Sequence, residues 1–291
     1  MHVPVMAAEA VAALDPRPGC WYVDATLGCG GYTAALLAKC PECRVLGIDV
    51  DAEALAVARE VLLSEIQRGA VTVVHDTYIR MREAVAANGS PPIHGVVFDL
   101  GMSSLQLGRP RGFSFSDEHS LDMRMNPDGP GSTAQDLLRR ASAPELEELF
   151  RMYGEERHAR LLARRIVEER RRSPITTAAQ LAELVRRTIG RFERRGTTHP
   201  ATRVFQALRI AVNRELDNVT EGLSVALDVL VSGGRCVAVS YHSLEDRIVK
   251  QVFRGRADCR VLTRTPLLPS ESEVSTNRAA RSAKLRVVQK Q

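Results

Sequence analysis

The residues of this chain that could do chemistry are acids and glycines set at intervals along its first hundred positions. The stretch DATLGCGGYTAALL, residues 24–37, places Asp24 ahead of Gly28, Gly30 and Gly31. Asp49 stands 21 residues after Gly28, and Asp76 and Asp99 each follow a further apolar run. Clustered glycines let a backbone press against a ligand that side chains would keep away. A carboxylate at the end of the next strand accepts hydrogen bonds from ribose hydroxyls. A loop for ATP-type phosphates needs G-x-x-x-x-G-K-[ST]; counted from Gly28 the sixth position is Thr33 and no Lys follows, so that chemistry is excluded. A dinucleotide loop needs its third glycine where Thr33 stands, which weakens that reading without removing it. S-adenosylmethionine has no pyrophosphate and asks for a close turn around a charged tail and a ribose, which D-x-x-x-G-x-G-G can give. Asp49 serves either nucleoside. The segment Asp76-Thr77-Tyr78 could contact adenine, and Asp99-Leu100-Gly101 adds an acid and a glycine at the same edge. Each acid alone also reads as a cap or a turn; four in register do not.

Such acids need a scaffold that ends its strands side by side. WYVDAT (21–26), RVLGIDVD (44–51), AVTVVHD (70–76) and GVVFDLG (95–101) read as short buried strands. Helices are expected between them, over 33–40, 52–67 and 78–89. That alternation predicts a parallel sheet covered on both faces. Residues 102–132 are rich in Gly, Pro, Ser and Asp, yet carry Phe113, Phe115, Leu121, Met123 and Met125, so this segment is expected to pack. From 133 to about 231 the apolar spacing is helical, with Pro144 at a helix start and Thr176 or Thr177 as a cap. Strands resume at 234–242 and 284–288, around a helix over 244–253. The sheet is therefore expected to be interrupted by a helical insertion and completed after it.

Charge is uneven along the chain. Only four basic residues are Lys, against 36 Arg. Between Arg139 and Arg214 stand 18 Arg and 9 Glu with no Lys or Asp, so this window carries +9 and the remainder −4. A basic segment on a mildly acidic protein suits a phosphate backbone; a solvated helical face in an Arg-favouring sequence is the plainer reading. Of the six cysteines, Cys40 and Cys43 form a lone C-x-x-C without further ligands nearby, so free thiols are expected and no metal site is assigned. No run reaches the roughly 18 apolar residues of a membrane span, and the N-terminus lacks the basic region of a signal peptide. A cytoplasmic protein is expected, or a mitochondrial-matrix one if a targeting segment preceded this sequence. A homodimer is compatible with the sequence, which does not decide the oligomeric state.

Joined to later segments, the glycine loop resembles the bacterial 16S rRNA (cytosine-N4)-methyltransferase family and its mitochondrial relatives. The motifs that carry the resemblance follow in family order over nearly the whole chain. They are HVPVM (2–6) with EAV (9–11), DATLGCGGYT, DLGMSSLQL (99–107), RGFSF (111–115), LDMRM (121–125), YGEERHARLLARRIV (153–167), HPATRVFQALRIAVNREL (199–216), SYHSLEDRIVK (240–250) and NRAARSAKLR (277–286). Tyr32 replaces the usual His, Tyr78 and Tyr241 replace Phe, and Gly108 replaces an acid.

The resemblance implies an α/β, Rossmann-like class I S-adenosylmethionine-dependent methyltransferase with an inserted α-helical domain. Residues 1–103 and 200–291 would form the methyltransferase domain and 104–199 the inserted RNA-recognition domain. It implies methylation of the N4 amine of a cytidine in the decoding region of small-subunit rRNA, with that rRNA or the small subunit as partner. Cofactor contacts would fall on Gly28, Gly30, Gly31, Tyr32, Asp49, Tyr78, Asp99 and Gln106. Asp99, Ser103 or Ser104 would orient the amine or the methionine moiety. His242 is a candidate to remove a proton and equally a structural strand end. His242, Ser243 and Glu245 would reach the substrate edge, and Arg124 would contact phosphate or hold its own loop. A ribosome-assembly factor that keeps the fold without the chemistry is the alternative.

Overall fold

The computed structural model describes residues 4–102, 105, 108–192 and 199–291. The chain divides into two compact units, Met1–Ser103 with Leu216–Gln291, and Ser104–Glu215. The second unit thus takes in the helix Thr202–Asn213, beyond the boundary at 199 expected for the insertion.

The first unit is built on seven strands: β1 Trp21–Asp24, β2 Arg44–Asp49, β3 Val71–His75, β4 Ile93–Asp99, β5 Leu230–Ser240, β6 Cys259–Val261 and β7 Lys284–Lys290. Their order in the sheet is β3-β2-β1-β4-β5-β7-β6. The first five run parallel, and β7 lies antiparallel between β5 and β6. Successive residues alternate between two apolar layers. Tyr22, Val45, Val97 and Val237 face one layer, and Val23, Leu46, Phe98 and Ala238 face the other. A sheet buried on both faces needs this continuous apolar sequence, which is why the strands read as unbroken runs.

Several features were not expected from local pattern. The region 52–67 is two helices, Ala52–Val61 and Leu63–Gln67, parted at Leu62. Leu62 is fully buried, and a Cβ on Gly30 would stand 2.8 Å from its Cδ1. Tertiary packing onto the glycine loop thus accompanies the break. The helices Ala7–Leu14 and Glu271–Thr276 and the three-residue β6 also went unforeseen, being short or Ala-rich and stabilised by what they pack on. On the helix Ser243–Gly255, Asp246 pairs with Arg286 of β7 at 2.7 Å, both side chains nearly buried, with Lys284 at 3.3 Å.

Among the described residues, the second unit packs five α-helices: Ala134–Arg140, Ala143–Gly154, Ala159–Arg172, Ala178–Ile189 and Thr202–Asn213. Thr133 with Asp136, Ser142 with Glu145 and Thr177 with Gln180 form reciprocal capping boxes that start three of them. Leu146, Phe150, Leu162, Ile166, Leu181, Val185 and Leu208 are buried there. Gly154 lets two helices touch, since a Cβ on it would lie 2.6 Å from the Arg203 carbonyl oxygen. The segment before these helices packs as its composition implies. Phe113, Leu121 and Met123 are buried, and Phe115 stacks on His199 and meets Phe205 edge-on. The Asp117 carboxylate accepts the Gly112, His119 and Ser120 N–H groups at 2.7–3.1 Å.

Breaking the Asp246–Arg286 pair leaves an uncompensated charge next to the sheet. Arg286→Met is expected to lower unfolding free energy by about 3 kcal/mol in urea titrations. The double variant with Asp246→Asn should lose less than the two single changes added together.

Candidate active site

β1 and β4 are neighbours and parallel, and the chain leaves them toward opposite halves of the sheet. Such a switch point opens a crevice at the carboxyl ends of the strands. The glycine loop is tied to both sides of it. Ala25 N–H donates to the Val97 carbonyl at 2.9 Å and Leu27 N–H to the Ile48 carbonyl at 2.9 Å. Gly28 and Gly30 then take φ of +51° and +86°, a region that side chains disfavour, and Gly31 opens the helix to Lys39. Gly28 N–H donates to Asp49 Oδ2 at 2.7 Å, and Asp51 N–H to Asp49 Oδ1 at 2.9 Å. The ribose-binding candidate is thereby fixed from its own loop and from the glycine loop.

Three carboxyls gather along this edge. Asp24 is buried, and burial pushes its pKa up to about 7, against the Thr33 hydroxyl that donates to Oδ2 at 2.8 Å. Its Oδ1 is buried with no hydrogen-bond partner among the described residues. Asp99 rises to about 6, again by burial; the Tyr241 hydroxyl donates to Oδ1 at 2.7 Å and opposes the shift. Asp49 is also raised by burial, opposed by the Asp51 and Gly28 N–H groups. Asp24 feels the charges of both other acids. Thr33, which stands where a dinucleotide loop needs glycine, is thus a buried donor to Asp24. Thr26 likewise accepts the Asp99 N–H at 2.7 Å. Neither threonine was singled out as a site residue; their signal is a hydroxyl within two to nine residues of a strand-end acid.

The three tyrosines fall in different places. Tyr32 is buried, and its hydroxyl donates to the Val5 carbonyl; burial lifts its pKa well above the ordinary value. Pro4 packs on Gly31, where a Cβ would lie 3.0 Å from its ring, and Met6 N–H donates to Glu273 at 2.6 Å. Residues 4–6 therefore cover the start of the helix Gly31–Lys39, which local sequence gave no sign of. Tyr78 meets Phe98 edge-on at 5.5 Å and lies against Gly222 of the helix Glu215–Val229. Asp76 binds its own turn, accepting the Thr77 N–H at 2.8 Å, with Arg80 at 3.3 Å. Tyr241 reaches Asp99.

His242 is the N-cap of the helix Ser243–Gly255, which Ser243 opens. Glu245 N–H donates to His242 Nδ1 at 3.4 Å, while the buried Glu245 carboxylate accepts the Tyr241 and His242 N–H groups at 2.8 and 3.3 Å. Nε2 lies 3.0 Å from Glu245 Oε1 but is not aligned for a hydrogen bond. An Nδ1 that accepts puts the proton of a neutral ring on Nε2. This geometry makes His242 the cap of that helix. Arg124 is also bonded locally. Its guanidinium grips Asp122 through two bonds of 2.7 and 2.8 Å and donates to the Gly129 carbonyl at 3.1 Å, so it holds its loop. Ser103, Ser104 and Gln106 lie outside the described residues.

The sequence pattern of the MraW methylase family matches residues 1–291. The chain belongs to the MraW methylase family. It is 47% identical to a protein of Beijerinckia indica named ribosomal RNA small subunit methyltransferase H, over 98% of this chain and 84% of that one. Proteins of the same name from Cyanothece sp. and Thermomicrobium roseum are 45% and 44% identical, covering 100% and 99% of this chain and 95% and 93% of theirs. A solved structure from Clostridium thermocellum, described as a candidate rRNA-methylase, superimposes with a TM-score of 0.50 at 16% identity over the full length of both chains, a likeness of fold. This membership agrees with the expected fold class: an α/β methyltransferase sheet whose edge carries the glycine loop and the acids. No described helix is long and apolar enough to cross a membrane, and all six cysteines are free thiols.

The raised acids have a consequence for stability. Asp24 keeps its proton up to about pH 7 in the folded chain, whereas an unfolded chain releases it near 3.8. Folding stability contributed by this group is therefore full below about pH 4 and falls as pH rises through 7. Asp24→Asn should flatten that slope and stabilise the ligand-free protein by on the order of 3 kcal/mol above pH 7. Thermal melting of both proteins between pH 5 and 8.5 measures it, and parallel curves would refute it.

Proposed function

We propose that this chain transfers the methyl group of S-adenosylmethionine to the N4 amine of a cytidine in the decoding region of small-subunit rRNA. One observation carries the cofactor part of this reading. Asp24, Asp49 and Asp99 meet at a strand switch point beside positive-φ glycines, and the described residues supply no cation to them. A ligand with a sulfonium and an ammonium group fits that deficit, and the unpartnered Asp24 Oδ1 is an acceptor already in place. Gly28, Gly30 and Gly31 would cradle it, Asp49 would accept its ribose hydroxyls, and Tyr32, Tyr78 and Gln106 would complete the contacts. When bound, the sulfonium supplies an electrophilic methyl. The name shared by the relatives supports the rRNA part, and the family resemblance narrows it to cytidine N4.

The N4 lone pair is delocalised into the cytosine ring, so the amine must be held in line and must donate hydrogen bonds as charge develops on nitrogen. Asp99 is the acceptor at the right strand end, and Ser103 and Ser104, which follow it in sequence, would add hydroxyls. The base must leave its stack to arrive there. Ser243 and Glu245 follow β5 on the same sheet edge, and His242 acts by capping the helix that presents them.

The second unit, which contains the proposed RNA-recognition insertion of residues 104–199, has a face suited to phosphate. On the helix Ala159–Arg172, Arg160, Arg164 and Arg171 project from one side, exposed, and pair with no carboxylate among the described residues. By contrast Arg139, Arg140, Arg165, Arg186 and Arg187 all have acidic partners. Three unpaired guanidiniums at helical spacing match a line of phosphates. The cytoplasm, or the mitochondrial matrix, is the compartment that holds such a substrate. An NAD-dependent oxidoreductase is disfavoured because the place of the third glycine is filled by Thr33, bonded to Asp24.

Mass spectrometry of small-subunit rRNA from a deletion strain should show loss of one N4-methylcytidine. The wild-type gene should restore it and Asp99→Ala should not, with at least a hundredfold loss of rate in vitro. An unchanged methylcytidine signal in the deletion strain overturns the reading, and absence of S-adenosylmethionine binding by calorimetry favours a non-catalytic assembly factor. Replacing Arg160, Arg164 and Arg171 together with Gln should reduce the salt dependence of RNA binding by about 2 in log–log slope, while cofactor affinity stays unchanged.

A further inference from the structure

Tyr241 follows β5 directly, and its ring lies against Gly101, which stands just past β4. A Cβ on Gly101 would come within 2.5 Å of Tyr241 Cε2 and 2.9 Å of Cδ2. The close approach exists because residue 101 is glycine. It delivers the phenol to Asp99, donating to Oδ1 at 2.7 Å. Tyr241 is itself anchored through its N–H, which donates to Glu245 Oε2 at 2.8 Å inside the capping box of the next helix. Asp99 is anchored on its other side by its N–H on Thr26 Oγ1.

We propose that Tyr241 is a positioning residue for the methyl-transfer site, holding the Asp99 carboxylate in one orientation and favouring its ionised form. This rests on the reading that Asp99 faces the cofactor or the amine. The titratable groups around Asp99 are Asp24 from β1, Tyr32 from the helix Gly31–Lys39, Tyr241, and Glu245 from the helix Ser243–Gly255. All are acids or phenols, so among the described residues around it no positive charge favours the carboxylate. The donors left for that task are the Tyr241 hydroxyl and the Gly101 N–H. Burial and the nearby Asp99 raise the Tyr241 pKa far above the ordinary value, so its proton is a permanent donor. A phenylalanine would fill the same space against Gly101 and Glu245 but could not donate. This chain carries tyrosine at the position, and the donor is what the extra oxygen adds.

Removing a hydrogen bond to the charged form raises a carboxyl pKa. The test is Tyr241→Phe, followed first without any ligand. In protein carrying 13C-labelled aspartate, one carboxyl should titrate near pH 6 and vanish in Asp99→Asn. In Tyr241→Phe its midpoint should move up by about one pH unit, a tenfold change in proton affinity. Calorimetry with S-adenosylhomocysteine should then show several-fold weaker binding at pH 6.5, recovering toward the wild-type affinity at pH 8. A packing role alone would weaken binding equally at both values. An unmoved carboxyl midpoint, or a pH-independent loss, overturns the proposal. Failure of the wild-type protein to bind S-adenosylhomocysteine would strike at the functional reading instead, since the ligand-free titration does not depend on it.

Discussion

Burial of acids without cations is the constraint around which the first unit is arranged. Asp24 and Asp99 sit at adjacent ends of β1 and β4, and Asp49 lies at the end of β2, next along the sheet. An isolated buried carboxylate is costly, so such groups survive in proteins when hydrogen-bonded or when a ligand completes them. Here the donors are drawn from the nearest loops: Thr33 to Asp24, Gly28 and Asp51 N–H to Asp49, Tyr241 to Asp99. Each donor satisfies part of a carboxylate and leaves acceptor capacity unused. The glycine loop has to turn tightly, with two left-handed glycines, to carry its N–H back to Asp49. Gly101 has to lack a side chain for Tyr241 to arrive. The loops at this edge are shaped by the acids as much as by any ligand.

That arrangement explains which parts were legible in the sequence. The sheet could be read because strands buried on both faces must be apolar at every position, and the acids could be read because they end those runs. The helices of the second unit were legible from their 3.6-residue spacing, with Pro144 at one start and Thr177 as a cap. What could not be read is what depends on distant partners. The hydroxyl of Tyr32 meets the carbonyl of Val5, 27 residues earlier, an interaction no periodicity encodes. The break at Leu62 accompanies its packing on Gly30. The helix Ala7–Leu14 is mostly alanine, too short to persist alone, and is held by the apolar layer under Met6 and Leu14.

Two residues show how local geometry engages side chains whose type leaves several roles open. Histidine after a strand suits proton transfer and also suits capping. In this chain Nδ1 accepts from the third helical N–H while Glu245 returns the bond to the backbone, so His242 belongs to a closed box. Arginine in a Gly-rich loop suits phosphate and also suits a local carboxylate. Arg124 finds Asp122 two residues away with bidentate geometry, which fixes both side chains at small entropic cost.

The same criterion separates the arginines of the second unit. Folding there rests on buried Leu, Ile, Val, Phe and Ala side chains, on capped helices, and on a few arginines of the +9 window, such as Arg170 on the Leu138 and Ala141 carbonyls and Arg209 on Glu215. Like charges on one helix face repel, and a sequence selected for folding alone would neutralise them at i+3 or i+4, as Glu183 does for Arg186 and Arg187. Arg160 has no acid three or four residues after it, and Glu168, four residues after Arg164 and three before Arg171, is engaged by Arg165 instead. Repulsion retained on an exposed face is relieved when a polyanion lies across it. The acidic edge of one unit and the basic helix of the other are thus two versions of one condition, charge held without a protein partner, and each names the sign of what it would bind.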